Sequence, residues 1–391
     1  MTTTEADIKR AHLGVTLSFL CLGLSAGNFV SRIPDLKSKL ELSNSVLGLS
    51  LLMMSLGVLV ALGPVGKSAA KYGSSRTLVI ATTALILVAP FVGLANSALT
   101  LSIALFFFGM TVASQDVSMN THGVTLEQKS GNRYMSRFHA FWSVGGLFGS
   151  IVGGLFAQAE IGVFPHFVFI SLVITAITLY GSRLLLPADS DKHVYSEEDK
   201  ASKKKRPPLI LIMGLLGLAA SIGEGSAGDW GGVLARETFG ASAFVSTIPF
   251  IAFSFTMVVG RFFGDQLATK FGPNRILKVG GLIGGTGLAA GLIVGGTGGV
   301  IFGWFLFGAA LSAVIPLLFS AAGSMANKRF AGSISPAEAV AMISGISYFG
   351  FIVGPPLMGF LADAITLRWA MLVPAVLAII ISASSRIFTH E

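Results

Sequence analysis

Twelve apolar runs, separated by short polar loops, fill the chain almost end to end. They lie near residues 12–31, 44–65, 77–95, 99–121, 137–158, 164–186, 209–227, 243–264, 276–295, 298–324, 338–361 and 369–388. Crossing roughly 30 Å of hydrocarbon takes about 20 residues of α-helix, and backbone groups there must find their hydrogen bonds within the segment. The pattern therefore predicts an all-α membrane protein of twelve transmembrane helices. Met1–Lys9 is polar, carries Glu5 and Asp7, and no small-residue cleavage site follows the first run, so a retained first span is expected rather than a removed signal peptide.

The pattern breaks once, between Pro187 and Pro208. There Asp189, Asp191, Glu197, Glu198 and Asp199 alternate with basic residues and lead into Lys203-Lys204-Lys205-Arg206. The break predicts a six-helix bundle over 1–186, a cytoplasmic linker over 187–208 and a second six-helix bundle over 209–391. The two halves are weakly repeated. Residues 66–76 (GKSAAKYGSSR) align with 265–275 (DQLATKFGPNR) at an offset of 199, which also pairs Gly109 with Gly308. An offset of 201 pairs Ser25-Ala26-Gly27-Asn28 with Ser226-Ala227-Gly228-Asp229. Pseudo-symmetric halves of this kind are the plan of many secondary transporters.

Composition agrees and charge adds direction. The chain is 53% hydrophobic and 12% charged, about half the charged fraction of a soluble protein, and its mean hydropathy is +0.77. Of 27 Lys and Arg residues, Arg32, Lys37, Lys39, Arg236 and Arg368 fall in the loops opposite the N-terminus, which leaves 22 on its side. The positive-inside rule then places both termini in the cytoplasm. The net charge of +8 reflects this bias and contact with anionic lipid, and no aromatic-interleaved basic module points to nucleic acid.

The loop 66–76 resembles the Gly-x-Leu-Ala-Asp-Arg-x-Gly-Arg-Arg signature of the major facilitator superfamily in Gly66, the basic Lys71, Gly73 and Arg76. It departs at Ala70 and Thr269, where the signature has Asp, and at Asp265, where the second copy would have Gly. Four further phrases resemble the branch of YbjJ-like proteins and the rhizopine permease MosC, a neighbour of the fucose/proton symporters. They are Ser31–Lys37, Asp116–Asn120, Met135–Ser143 and Glu224–Trp230. The resemblance implies uptake of a sugar or cyclitol by alternating access, with Lys71, Arg76, Lys270 and Arg275 in the gating loops of a bacterial inner-membrane protein.

Ionisable and polar groups inside spans are costly and therefore informative. Asp116 and Asn120 share a face of span four, flanked by Gln115 and Met119, and Asp116 is the expected proton-coupling group. The structural alternative is a carboxylate that ties helices together. His139, Trp142 and Ser143 share a face of span five: His139 is a candidate proton relay, and Trp142 is either a stacking platform for a solute or an interfacial anchor. Glu224 lies in span seven, followed by Asp229 and Trp230. With Asn28 in the equivalent place on span one, these are candidate solute-binding residues, Glu224 also serving proton coupling. The small residues Gly223–Gly228 predict local unwinding there. Arg32 and Asp35, around Ile33-Pro34 just after span one, read as an exposed ion pair or an outer gate. Gly145, Gly149 and Gly153 read as a close-packing face. Gly354 and Pro355, with Gly350, Pro356 and Gly359, mark an expected kink or gating hinge in span eleven.

Cys21 is the single cysteine, no metal-ligand spacing occurs among the six histidines, and no phosphate-binding loop is present. These features argue against an enzyme, a cofactor, a metal site or ATP coupling. The expected partners are a small polar solute, protons and the bilayer, and a monomer is expected. A proton-coupled exporter of drugs or metabolites is the alternative, and a non-transporting receptor or scaffold a third reading. Reporter fusions after residues 70, 130, 200 and 330 should report cytoplasm, and fusions after 38, 97, 235 and 366 the opposite side. A consistent inversion would overturn the charge argument.

Overall fold

The computed structural model describes residues 4–190, 207–328, 334 and 336–386. Among these the secondary structure is helical, and twelve helical stretches are long and apolar enough to cross a membrane. The basic run Lys203–Arg206 lies outside the described residues. The chain forms two compact units, Met1–Leu42 with Leu49–Asp199, and Ser43–Gly48 with Lys200–Glu391.

The first unit contains α1 (Glu5–Lys39), α2 (Asn44–Tyr72), whose first turn belongs to the second unit, and α3 (Ser74–Leu94). It is completed by α4 (Ala98–Ser130), α5 (Met135–Gln158) and α6 (Val163–Gly181). Thr4 and Asp7 form a capping box that starts α1, and Ser97 with Thr100 starts α4 the same way. Gly131, at φ 70°, ends α4 in the left-handed conformation. The expectation that span one ends before Arg32 is corrected: α1 continues through Pro34 to Lys39. Buried contacts hold this extension, and the Lys39 ammonium donates to the carbonyls of Gly93 and Ala95 at the end of α3, at 3.1 and 2.9 Å.

Helices α1 and α5 pack with their backbones in contact. A Cβ on Gly23 would strike the carbonyl of Trp142, and one on Gly27 the carbonyl of Gly146. From the other side, Gly145 and Gly149 lie against the carbonyls of Leu20 and Leu24, and Gly153 against Ser31. Lipid tails offer helices no hydrophobic drive to associate, so close approach through small residues supplies the dispersion contact instead.

The second unit contains α7 (Pro208–Val233), α8 (Ile248–Phe271), α9 (Pro273–Val294), α10 (Gly296–Leu311) and α11 (Val314–Lys328). It closes with α12 (Pro336–Ile365), α13 (Leu367–Ala370) and α14 (Leu372–Ala383). The predicted span ten is two helices, α10 and α11, divided at Ser312-Ala313. The predicted unwinding at Gly223–Gly228 is corrected, because α7 is continuous through Val233 and only then passes into a π-helical turn, Leu234–Thr238. The small residues there admit neighbours: Gly223 lies against Phe307 and Leu311, and Gly225 against Phe351. Helix α12 likewise runs unbroken through Pro355 and Pro356. Its Gly350 packs on the Leu218 carbonyl of α7, and Gly354, which is buried, on Ile222. Within this unit the Asp363 carboxylate accepts the backbone N–H groups of Asn44 (3.1 Å) and Ser45 (2.9 Å), capping the first turn of α2.

The internal repeat has a physical content. Gly109 on α4 meets the Met54 carbonyl of α2, and Gly308 on α10 meets the Phe253 carbonyl of α8, so both partners of the contact are related by the same offset of 199. Gly73 and Gly272 both sit at positive φ, 89° and 80°, where other residues are strained. Each donates its N–H four residues back, to Ala69 and Ala268, and so ends one helix as the next begins.

Gly27→Ala should destabilise the protein by about 1–3 kcal/mol, since the new methyl meets backbone that cannot move aside. Gly63→Ala, with open space around it, should be neutral, and thermal unfolding in detergent compares the two.

Candidate functional site

In the first unit the central polar group is on α4. The Asn120 amide donates to Asp116 Oδ1 at 3.0 Å and to the Asp116 carbonyl at 2.8 Å, and both side chains are half-buried. The four-residue spacing read from the sequence thus becomes a direct bond that orients one carboxyl oxygen. Gln115 is fully buried, donates from Nε2 to the Ser18 carbonyl of α1 at 3.1 Å, and leaves Oε1 without a hydrogen-bond partner. On α5, His139 is exposed and sets its ring edge-on to Phe19, centroids 5.1 Å apart. Trp142 is half-buried over the α1–α5 contact.

Asn28 and Arg32 have a different setting from the one expected. Arg32, 3% exposed, donates from Nη1 to His166 Nδ1 at 3.1 Å and from Nη2 to the Ile161 carbonyl at 2.7 Å, while Asp35 Oδ2 lies 2.5 Å from its Nε. A guanidinium only donates, so Nδ1 of His166 carries the lone pair and the proton sits on Nε2. That N–H donates to Asn28 Oδ1 at 2.8 Å, and the Asn28 amide donates to the Leu24 carbonyl at 2.7 Å. Asn28 is 1% exposed. Its hydrogen-bonding groups, expected to serve solute binding, here serve α1 and α6. The ion pair of Arg32 and Asp35 is present, but inside a helix and buried rather than on a surface end, because α1 does not stop at Pro34.

A second buried histidine ties the end of α6 to α3 and α4. The Leu186 N–H donates to His122 Nε2 at 3.1 Å, so Nδ1 holds the proton and donates to Ser74 Oγ at 2.7 Å. His122 and His166 were both missed in the sequence reading. Their signal was simply an imidazole within an apolar run, where it needs a partner.

In the second unit, Glu224 on α7 faces Arg261 on α8, with Oε1 and Nη2 3.8 Å apart. Arg261 was also missed, although an Arg within the apolar run 243–264 was the available signal. Asp229, one and a half turns after Glu224, is partly buried and has no hydrogen-bond partner among the described residues. Trp230, expected among the solute-binding residues, is fully enclosed in the unit. Lys71, Arg76, Lys270 and Arg275 are exposed around the glycine turns, with Lys71 over the Tyr72 ring and Lys270 and Arg275 over that of Phe271. Among the described residues no cluster of three His, Cys, Asp or Glu side chains is placed to hold a metal ion.

The family model of the Major Facilitator Superfamily matches residues 15–337. An uncharacterized MFS-type transporter of Yersinia pestis is 30% identical over 382 residues, 97% of this chain and 96% of its own. Membrane protein MosC of Rhizobium meliloti is 25% identical, over 99% of this chain and 92% of its own. Among solved structures, a bacterial homolog of the human lysosomal transporter Spinster, inward-facing and occupied, superposes with a TM-score of 0.78 at 14% identity, over 99% and 97% of the two chains. The nucleoside transporter NupG gives 0.76 at 12%, over 97% and 99%. At these identities the solved structures show a shared fold.

His166→Leu should cost about 1–3 kcal/mol of stability, because it strands a buried guanidinium N–H and the Asn28 carbonyl oxygen. His166→Gln, which keeps a donor and an acceptor, should lose less. Thermal unfolding of the two variants side by side is the measurement, and equal midpoints would show that the bonds contribute nothing.

Proposed function

The chain belongs to the major facilitator superfamily, and from that premise we propose that it couples the uptake of a sugar- or cyclitol-like solute to protons by alternating access. As a multi-pass protein of this family it is a secondary transporter of small solutes, and not built as an enzyme. The proposal adds the solute class, the proton and the direction, and places the protein as a monomer in the bacterial cytoplasmic membrane with both termini cytoplasmic. The turns at Gly73 and Gly272, with Lys71, Arg76, Lys270 and Arg275 around them, are assigned to gating, as are Gly354 and Pro355.

The observation that carries the reading is Asp116, half-buried within α4 with the Asn120 amide on one of its oxygens. A charge at the centre of a span costs on the order of 2.5–3.5 kcal/mol on insertion scales. A carboxyl maintained there is suited to exchanging a proton as its access changes from one side to the other. Asn120 steadies the group in either state, since its amide donates to the carboxyl and also to the Asp116 carbonyl. His139, exposed on α5, is assigned as the relay. Glu224 adds a carboxylate that accepts solute hydroxyls, and solute binding is assigned to Gln115, Asn120, Trp142, Glu224 and Asp229.

Proteoliposomes with an imposed inward proton gradient and a panel of labelled sugars and inositols test the proposal. Accumulation that a protonophore collapses supports it, whereas proton-driven loss of solute from loaded vesicles favours the exporter. Asp116→Asn keeps size and hydrogen bonding but fixes the neutral form. It should abolish gradient-driven accumulation while sparing counterflow exchange, and Glu224→Gln should weaken binding itself. Full accumulation by Asp116→Asn at every pH removes Asp116 from the mechanism.

A further inference from the structure

Arg261 lies within α8, among apolar residues, with five N–H donors. Its one charged neighbour among the described residues is Glu224, at 3.8 Å, close enough for Coulomb attraction but beyond hydrogen-bond length. Neither side chain makes a hydrogen bond among the described residues. Both are partly open, Arg261 at 37% and Glu224 at 28% exposed.

The faces around them are already committed. Gly260, next to Arg261, is closed by Ser312, and Gly308 packs α10 onto the Phe253 carbonyl earlier in α8. On α7, Gly223 is closed by Phe307 and Gly225 lies against Phe351. Glu224 projects between those two contacts, at 100° from each around the helix. Helix packing thus fills the sites on either side of the pair, while the pair itself stays partly exposed. An arginine and a glutamate that served only to tie α7 to α8 would close to hydrogen-bond distance, since a loose ion pair within a membrane gains little against the cost of placing both charges there.

We propose that Arg261 is a solute-binding residue, and that with Glu224 it takes two adjacent hydroxyls of a neutral polyol, one accepting from the guanidinium and the next donating to the carboxylate. The inference rests on the reading of the chain as a carrier of sugar- or cyclitol-like solutes and adds to it the residue and the hydroxyl pattern. A side-by-side donor and acceptor matches vicinal hydroxyls, each of which can both give and take a hydrogen bond. The local charge favours a neutral ligand: Glu224 offsets Arg261, and Asp229 lies further along the same helix, so an anionic solute would meet repulsion as well as attraction.

The test is competition in counterflow by myo-inositol, D-glucose and the monodeoxy forms of each, in wild type, Arg261→Gln, Arg261→Lys and the double variant Arg261→Gln/Glu224→Gln. The double variant replaces the pair by neutral amides and avoids stranding one charge. In wild type, loss of one hydroxyl of the recognised pair should weaken competition by roughly tenfold or more, the effect of leaving a buried donor unpaired. In Arg261→Gln and in the double variant the parent should weaken to the level of that deoxy form, and the ratio between them should fall to about one. Arg261→Lys, which keeps the charge without the planar fork, should lie between. An unchanged ratio in Arg261→Gln or in the double variant overturns the role of Arg261 while leaving the carrier reading intact. Failure of every panel member to compete in wild type overturns the polyol reading, and this inference with it.

Discussion

Backbone-to-backbone contact between helices, made possible by glycine, is the constraint on which the rest of the structure depends. In water, burial of apolar surface would hold helices together; in lipid it cannot, because the tails are as apolar as leucine. What remains is dispersion at short range, and its strength falls quickly with any gap. Gly23, Gly27, Gly145 and Gly149 bring α1 and α5 into van der Waals contact along several turns. Gly350 and Gly354 do the same between α12 and α7, Gly57 and Gly109 between α2 and α4, and Gly308 between α10 and α8. Many glycines among the described residues are therefore a packing device. This also explains why the glycine-rich stretch of α7 stays helical: its small residues make room for Phe307 and Phe351 rather than release the backbone.

Once those faces are taken, the polar side chains divide into two kinds. Some are locked into the packing. Asn28, Arg32 and His166 form a chain of donors and acceptors in which every bond direction follows from the guanidinium being donor-only, and His122 makes a similar tie between Ser74 and Leu186. Buried polar groups in such a setting are costly unless fully paired, so these networks specify how α6 and its exit sit against the other helices of the first unit. The others keep unused capacity. Asp116 has an oxygen beyond the one that Asn120 holds, and Glu224 and Arg261 stand near each other without closing. Spare hydrogen-bonding capacity within a span is what a carrier requires, since a proton or solute must be taken up and released without breaking the scaffold.

The repeat links these two levels. The offset of 199 relates contacts as well as residues, as the paired approaches of Gly109 to Met54 and Gly308 to Phe253 show. The sites do not follow the symmetry. Asn28 and Asp229 occupy matching places on α1 and α7, yet Asn28 is enclosed and bonded to His166 while Asp229 is left without a partner among the described residues. Shared packing with divergent polar groups is the expected outcome when the contact surfaces are constrained by close approach and the remaining faces are free to differ.

Much of the fold was legible in the chain because membrane insertion is governed by local properties. Run length and apolarity define a span, and the spaced glycines of span five likewise depend on nearby residues alone. The pairing of Asp116 with Asn120 was legible for the same reason, since four residues on a helix bring two side chains together. Elements that rely on distant contacts were not. Helix α1 passes Pro34 because Arg32 and Lys39 find acceptors at Ile161, Gly93 and Ala95, far away in sequence. Arg261 lies within an apolar run, but counting charges does not ask what faces it, and only the fold brings Glu224 opposite. Helical periodicity states which residues share a face; which neighbour covers that face, and so whether Asn28 is bonded shut and Glu224 left open, was decided by tertiary structure alone.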